Sequence, residues 1–239
     1  MTRIHDMGGR FGDGPIPLKK IDGKVVDDEP VFKTDWHAKA FAITVASASV
    51  GKWSIDKSRF FRESLPPKDY AKFDYYEKWS SALINLLVER GLINKNDLIE
   101  ITKKAKEDNL DVSQVTDEHQ DVLKAKDVAI TLGRGGPSAR EVIHSPKFKV
   151  GQEVRTINYS PNKNIIGGHT RLPIYARGKK GKVILHHKGH VLPDASAHDL
   201  GDSPEHLYTV EFLSTELWGD KDGNQKDSIC IDLWESYLI

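Results

Sequence analysis

The sequence predicts an α+β protein in three parts: an extended N-terminal arm over residues 1–34, a helical domain over 35–145 and a small β-barrel over 146–239. Three observations predict it. Gly8, Gly9, Gly12, Gly14, Pro15 and Pro17 punctuate an opening stretch with little apolar periodicity. From Asp35 apolar side chains recur at helical spacing, and beyond Pro146 the period switches to two. A chain of 239 residues has room for one large or two small domains with a real core.

The arm needs a surface to lie on, because a segment so poor in apolar residues cannot offset its own ordering entropy. In the first helix Trp36, Ala40, Phe41, Ile43, Thr44 and Val45 recur at helical intervals until Gly51 closes the stretch. Ser54 is placed to cap a second helix, Ile55 to Phe61, which Pro66 and Pro67 end. A third runs from about Tyr70 to Arg90 with Gly91 as its stop. Tyr75, Trp79, Ala82, Leu83 and Leu86 form its main stripe, and Tyr76, Ile84, Leu87 and Val88 carry apolar character round to other sides. Such a helix must be covered on more than one face. Two polar helices follow, near Lys95 to Glu107 and near Asp117 to Thr131, with solvated charged faces. Leu132-Gly-Arg-Gly-Gly-Pro-Ser138 ends the helical part; it is no phosphate loop, because Pro137 stands where Gly-Lys-Ser/Thr would have to open a helix.

Four short alternating runs make up the last part: Glu153 to Ile157, Lys182 to His186, Leu207 to Phe212 and Ser228 to Leu233. Tyr208, Val210 and Phe212 share one face, as do Ile229, Ile231 and Leu233. Four or five such strands suit a small closed barrel better than a sandwich, which wants about seven.

Composition narrows the functions. Lys and Arg total 35 and Asp and Glu total 35, so the chain as a whole exerts no pull on nucleic acid or anionic membrane. No apolar run reaches membrane-spanning length, and the opening residues lack a secretory pattern, so a cytoplasmic location is expected. Cys230 is the only cysteine, which rules out an internal disulfide or a thiolate cluster within one chain; a metal held by this chain alone would need histidines and carboxylates. The group His186-His187-Lys-Gly-His190, with His198 beyond, reads as surface histidines near a turn, since neighbours in a strand face opposite ways. Arg177-Gly-Lys-Lys-Gly-Lys-Val183 is a basic turn that would serve a non-catalytic RNA-binding barrel, although no aromatic stacking platform lies beside it. Nucleophile-elbow, zinc-helix and dinucleotide motifs are absent. Folding leaves unexplained Arg59, the Tyr75-Tyr76-x-x-Trp79 cluster, and Arg171 within Gly167-Gly-His-Thr-Arg-Leu-Pro173, a set that suits a pocket shared with a partner.

With these residues in view the sequence resembles the β subunit of nitrile hydratase over essentially its whole length. The resemblance rests on Ile4-His-Asp-Met-Gly-Gly9, Glu29-Pro-Val-Phe-Lys-Thr-Asp-Trp36, Tyr75-Tyr-Glu-Lys-Trp79, Gly168-His-Thr-Arg-Leu-Pro173, Glu216-Leu-Trp-Gly219 and Asp232-Leu-Trp-Glu-Ser-Tyr-Leu238, in order and at compatible spacing. It implies a helical domain followed by an SH3-like barrel, and an α subunit partner, wrapped by the arm, in an αβ heterodimer or (αβ)₂ heterotetramer. It also implies a low-spin cobalt(III) or iron(III) held by a cysteine claw of that α subunit, with two cysteines oxidised, and no metal ligand from this chain. By the same carry-over Arg59 and Arg171 hydrogen-bond the oxidised sulfurs, Tyr75 offers a hydroxyl near the metal, and Ile55, Ser58, Tyr75 and Trp79 line the substrate side of a nitrile pocket. Guanidinium suits that task, being permanently charged and forked. Ser58 departs from the family, which often has a large apolar residue there, and this bears on substrate preference. Thiocyanate hydrolase, of the same superfamily, divides the β-like region between two chains, whereas here both halves are continuous.

Overall fold

The computed structural model describes residues 20–22, 24–25, 30–107, 121–159, 162 and 164–239. Most of the expected arm, including the motif at residues 4–9, lies outside the described residues, as does the expected start of the second polar helix at 117–120. Within the arm, β1 (Lys20–Ile21) and β2 (Lys24–Val25) pair antiparallel. The fold divides into two compact units, Pro30–Gly135 and a second that includes Gly136–Ile239.

The first unit is helical. Helix α1 (Asp35–Gly51) ends where Lys52 turns left-handed at φ 51° and donates its N–H to the Ala48 carbonyl. Gly51 is required there: a Cβ would come within 1.9 Å of the Trp53 ring, which packs against that backbone and forms a small core with Leu83 and Leu86. Helix α2 (Ile55–Glu63) starts at the expected cap, the Ser54 hydroxyl accepting the Lys57 N–H at 3.1 Å. The long third helix expected from the apolar stripe is instead two, α3 (Pro67–Lys72) and α4 (Tyr75–Glu89). Asp74 interrupts it by forming a capping box: its carboxylate accepts the Glu77 N–H, and the Glu77 carboxylate accepts the Asp74 N–H, each at 2.8 Å. Helices α5 (Lys95–Lys106) and α6 (Ala125–Arg134) bury no side chain, as their polar composition implied.

The second unit is built on one antiparallel sheet in the order β3 (Glu153–Arg155), β4 (Lys180–His190), β5 (Glu205–Leu213) and β6 (Ser228–Trp234). Two short helices, α7 (Pro193–Ser196) and α8 (Ser214–Asp222), flank β5. The stripe of Tyr208, Val210 and Phe212 is fully buried and forms the core with Val183 and Leu233. Register shifts at Val183/Leu185 and His186/Gly189 bend β4, and the sheet curls. Residues 155–157 then meet 237–239: Arg155 and Ile239 exchange N–H···O bonds at 2.9 and 2.8 Å, and the Ile157 N–H donates to the Tyr237 carbonyl at 2.9 Å. Helices and a curled antiparallel sheet make the fold α+β. Among the described residues no helix is long and apolar enough to cross a membrane.

Candidate active site

Positions 55, 58, 59 and 62 recur at i, i+3, i+4 and i+7, so Ile55, Ser58, Arg59 and Arg62 share one face of α2. The opposite side is buried and holds the helix in place. Lys57 is almost wholly covered and its ammonium meets the Glu89 carboxylate at 3.0 Å, tying the start of α2 to the end of α4. Asp56, also buried, accepts from the Arg59 guanidinium at 3.1 Å. One arm of that fork is thereby fixed, on a side chain that stays partly exposed.

Tyr75 and Trp79, one turn apart on α4, are in ring contact at 5.5 Å. Tyr75 is exposed and stands edge-on to Tyr76 at 5.1 Å, which in turn stacks on His37 at 4.8 Å and touches Phe32 at 5.8 Å. The Arg62 guanidinium lies over the Trp79 ring at 4.4 Å and bridges the two faces. Burial lowers the Arg62 pKa from its ordinary value, opposed by the nearby Tyr75 hydroxyl and reinforced by Arg59. The helical unit therefore carries Ile55, Ser58 and Arg59 on one face of α2 and Tyr75 and Trp79 on α4, with Arg62 linking the two helices. Arg62 was missed in the sequence, though its spacing of three from Arg59 and seven from Ile55 was the available signal.

Arg171 belongs to the other unit. It is exposed, on a loop whose backbone is clamped at several points. The Asn162 amide donates to the carbonyls of His169 at 2.8 Å and Asp194 at 3.1 Å, and the His169 N–H donates to the His198 imidazole at 2.9 Å. The Arg171 N–H donates to the Tyr237 hydroxyl at 3.2 Å, and that hydroxyl donates to the Asp194 carboxylate. Leu172, 1 % exposed, anchors the loop in the core. Desolvation pushes the buried Asp194 carboxyl up to about 6 against the pull of the Tyr237 hydrogen bond, and burial beside Asp194 raises Tyr237 well above a free phenol. None of Asn162, Asp194, His198 and Tyr237 was singled out for this loop in the sequence.

The remaining sequence features resolve differently. Lys182 sits between Glu153 and Glu211 in the sheet register and the Lys180 N–H is held by Glu216, so the basic turn alternates with acids. His186 and His187 take different partners, His206 at 3.1 Å and Thr209 at 2.6 Å. Cys230 is exposed on β6. With one cysteine, this chain's own donors cannot build a thiolate cluster.

Comparison with known families finds a match over each of the two parts of the chain. The family model described as nitrile hydratase beta subunit, N-terminal, matches residues 1–128, and the one for the C-terminal part matches 137–239. The chain belongs to the nitrile hydratase β-subunit family. It is 36 % identical to the cobalt-containing nitrile hydratase subunit beta of Pseudonocardia thermophila, over 100 % of this chain and 96 % of that one. It is 35 % identical to the low-molecular-weight cobalt-containing subunit beta of Rhodococcus rhodochrous, over 100 % and 99 %. The nitrile hydratase subunit beta of Pseudomonas putida is 34 % identical, over 100 % and 99 %. A solved chain of thiocyanate hydrolase from Thiobacillus thioparus covers 49 % of this chain and 97 % of its own, at 24 % identity and a TM-score of 0.37.

Proposed function

We propose that the chain acts as the β subunit of a nitrile hydratase, adding water to a nitrile to give the amide beside a trivalent metal ligated by an α subunit. The observation that carries this is the family match across both units, supported by the Arg59 guanidinium held on Asp56 and the Arg171 N–H held on the Tyr237 hydroxyl. Relatives named as cobalt-containing favour cobalt over iron. When bound, such a metal supplies Lewis acidity toward a nitrile or a water.

The residues of this chain do the positioning. Arg59 and Arg171 hold the anionic sulfur oxygens of the partner's oxidised cysteines through charge-assisted hydrogen bonds, a task that suits a rigid, permanently charged fork. Asp56 restricts the rotamers of Arg59 before the partner arrives. Ile55, Ser58 and Trp79 line the substrate side and exclude water, and Tyr75 offers its hydroxyl as a polar contact. The exposure of Ile55 and Tyr75 suits residues that a partner covers. The same reading takes the curled sheet as an SH3-like barrel, the division as arm 1–34, helical domain 35–145 and barrel 146–239, the assembly as αβ or (αβ)₂, and the location as cytoplasmic.

The test is a nitrile hydration assay on the complex co-purified with this chain. Amide formation supports the reading. No amide from aliphatic and aromatic nitriles, with a metal-loaded partner present, would overturn it, and turnover of thiocyanate in that preparation would redirect it.

A further inference from the structure

Two imidazoles and a carboxylate converge at one place in the sheet unit from three stretches far apart in sequence. His206 stands on β5 and Glu235 directly follows β6, both buried, while His144 lies exposed on the segment before β3. Ligand atoms of the three lie within 4.8 Å of one another. The two imidazoles meet edge-on with centroids 5.0 Å apart, and His144 Nδ1 is 3.7 Å from Glu235 Oε1.

Glu235 and His206 are oriented from behind, as metal-binding side chains generally are. Glu235 Oε2 accepts the Tyr208 hydroxyl at 2.8 Å and the Lys147 N–H at 2.9 Å, which leaves Oε1 turned toward His144 and the Lys147 ammonium at 3.6 Å. The ring nitrogens of His206 face the His144 carbonyl at 2.8 Å and His186 at 3.1 Å. One can ligate while the other keeps its partner and fixes the tautomer. The Lys147 ammonium, on a largely exposed side chain, can be displaced into solvent, so a cation entering beside Oε1 replaces a charge already there.

We propose that His144, His206 and Glu235 form a binding site for a divalent transition metal of the zinc class, with water completing a tetrahedral set. Two nitrogens and one oxygen match zinc, whereas calcium and magnesium demand oxygens throughout. Ligands at about 2.0–2.1 Å require donor atoms roughly 3.3 Å apart, and the exposed His144 supplies the movement that closes the set. Bound there, the metal clips the segment around His144 to β5 and to the end of β6. The site uses neither Arg59 nor Arg171 and does not rest on the function proposed above.

Calorimetric titration of the purified complex with Zn²⁺, after dialysis against a chelator, tests it. One saturable site per chain is expected, weakened about tenfold or more by His144→Ala and by Glu235→Gln. His144→Ala should leave the melting temperature of the chelator-treated protein unchanged, since the side chain is exposed. His187→Ala, in the neighbouring histidine group, should leave Zn²⁺ affinity unchanged. Equal affinity in wild type and His144→Ala, loss on His187→Ala, or no saturable binding in wild type would each overturn the site.

Discussion

The Arg171 N–H donates to the Tyr237 hydroxyl at 3.2 Å, so an exposed arginine is held through its backbone by a tyrosine that is itself only 1 % exposed. The Tyr237 hydroxyl passes its own proton toward Asp194, and its oxygen stays available as an acceptor. The guanidinium is left uncommitted by this brace, which acts on the main chain alone.

Arg59→Lys and Arg171→Lys keep the charge and lose the planar fork. Each is expected to lower kcat for nitrile hydration by about 100-fold, the scale of removing one pre-organised donor from a reaction site. Melting temperature should change little for Arg171, whose side chain is exposed. Unchanged turnover in either variant would remove that arginine from the assigned role.

Gly168→Ala strikes the clamp directly. A Cβ at this position would lie 2.6 Å from the Asn162 amide nitrogen and 2.8 Å from His198 Nε2, both of which hold the loop. Overpacking of this kind costs about 1–3 kcal/mol. A lower urea midpoint together with reduced kcat is expected; wild-type values of both would show that the loop yields without consequence.

Asp194 gives the sheet unit a pH dependence of unusual sign. Its folded pKa is raised to about 6 from an ordinary 3.8, so the folded state retains a proton that the unfolded chain has released. Stability therefore falls as pH rises from about 4 to about 6, and the full cost of about 3 kcal/mol is present at pH 7. Asp194→Asn should be more stable than wild type at pH 7 by up to that amount and nearly equal to it at pH 4. Denaturation curves showing the same difference at both pH values would contradict the assignment.

Asp74→Ala removes the capping box at the residue preceding Tyr75. A loss of about 1 kcal/mol in chemical denaturation is expected, with fraying of the turn that carries Tyr75. A kcat that tracks this loss would connect the cap to the substrate side, and an unchanged denaturation midpoint would show that α4 is held by packing alone.

The boundaries of α1 and α2 were legible because their signals are local: Gly51 under the Trp53 ring, and Ser54 one residue before the helix. The break before α4 was equally local but hidden. Asp74 and Glu77 sit in an aromatic and charged run whose apolar stripe continues past them, so the pattern reads as one helix. Arg59, Tyr75, Trp79 and Arg171 stand out in the sequence because folding leaves them unexplained, and the resemblance supplies the roles proposed for them. The brace behind Arg171 could not, since Asn162, Asp194, His198 and Tyr237 become neighbours only when the sheet curls. The same holds for His144, His206 and Glu235, whereas the adjacent His186 and His187 drew attention by proximity in sequence alone.

The pairing of residues 155–157 with 237–239 also imposes an order in time. Its two sides are separated by nearly the whole sheet, so the ladder cannot form until residue 237 has left the ribosome, and loop-closure entropy makes such long-range pairing slow. Tyr237 lies on the later side of that seam and also holds Arg171. During translation the helical unit can therefore condense early, while the Arg171 loop must wait for Tyr237 to be synthesised before its backbone is fixed.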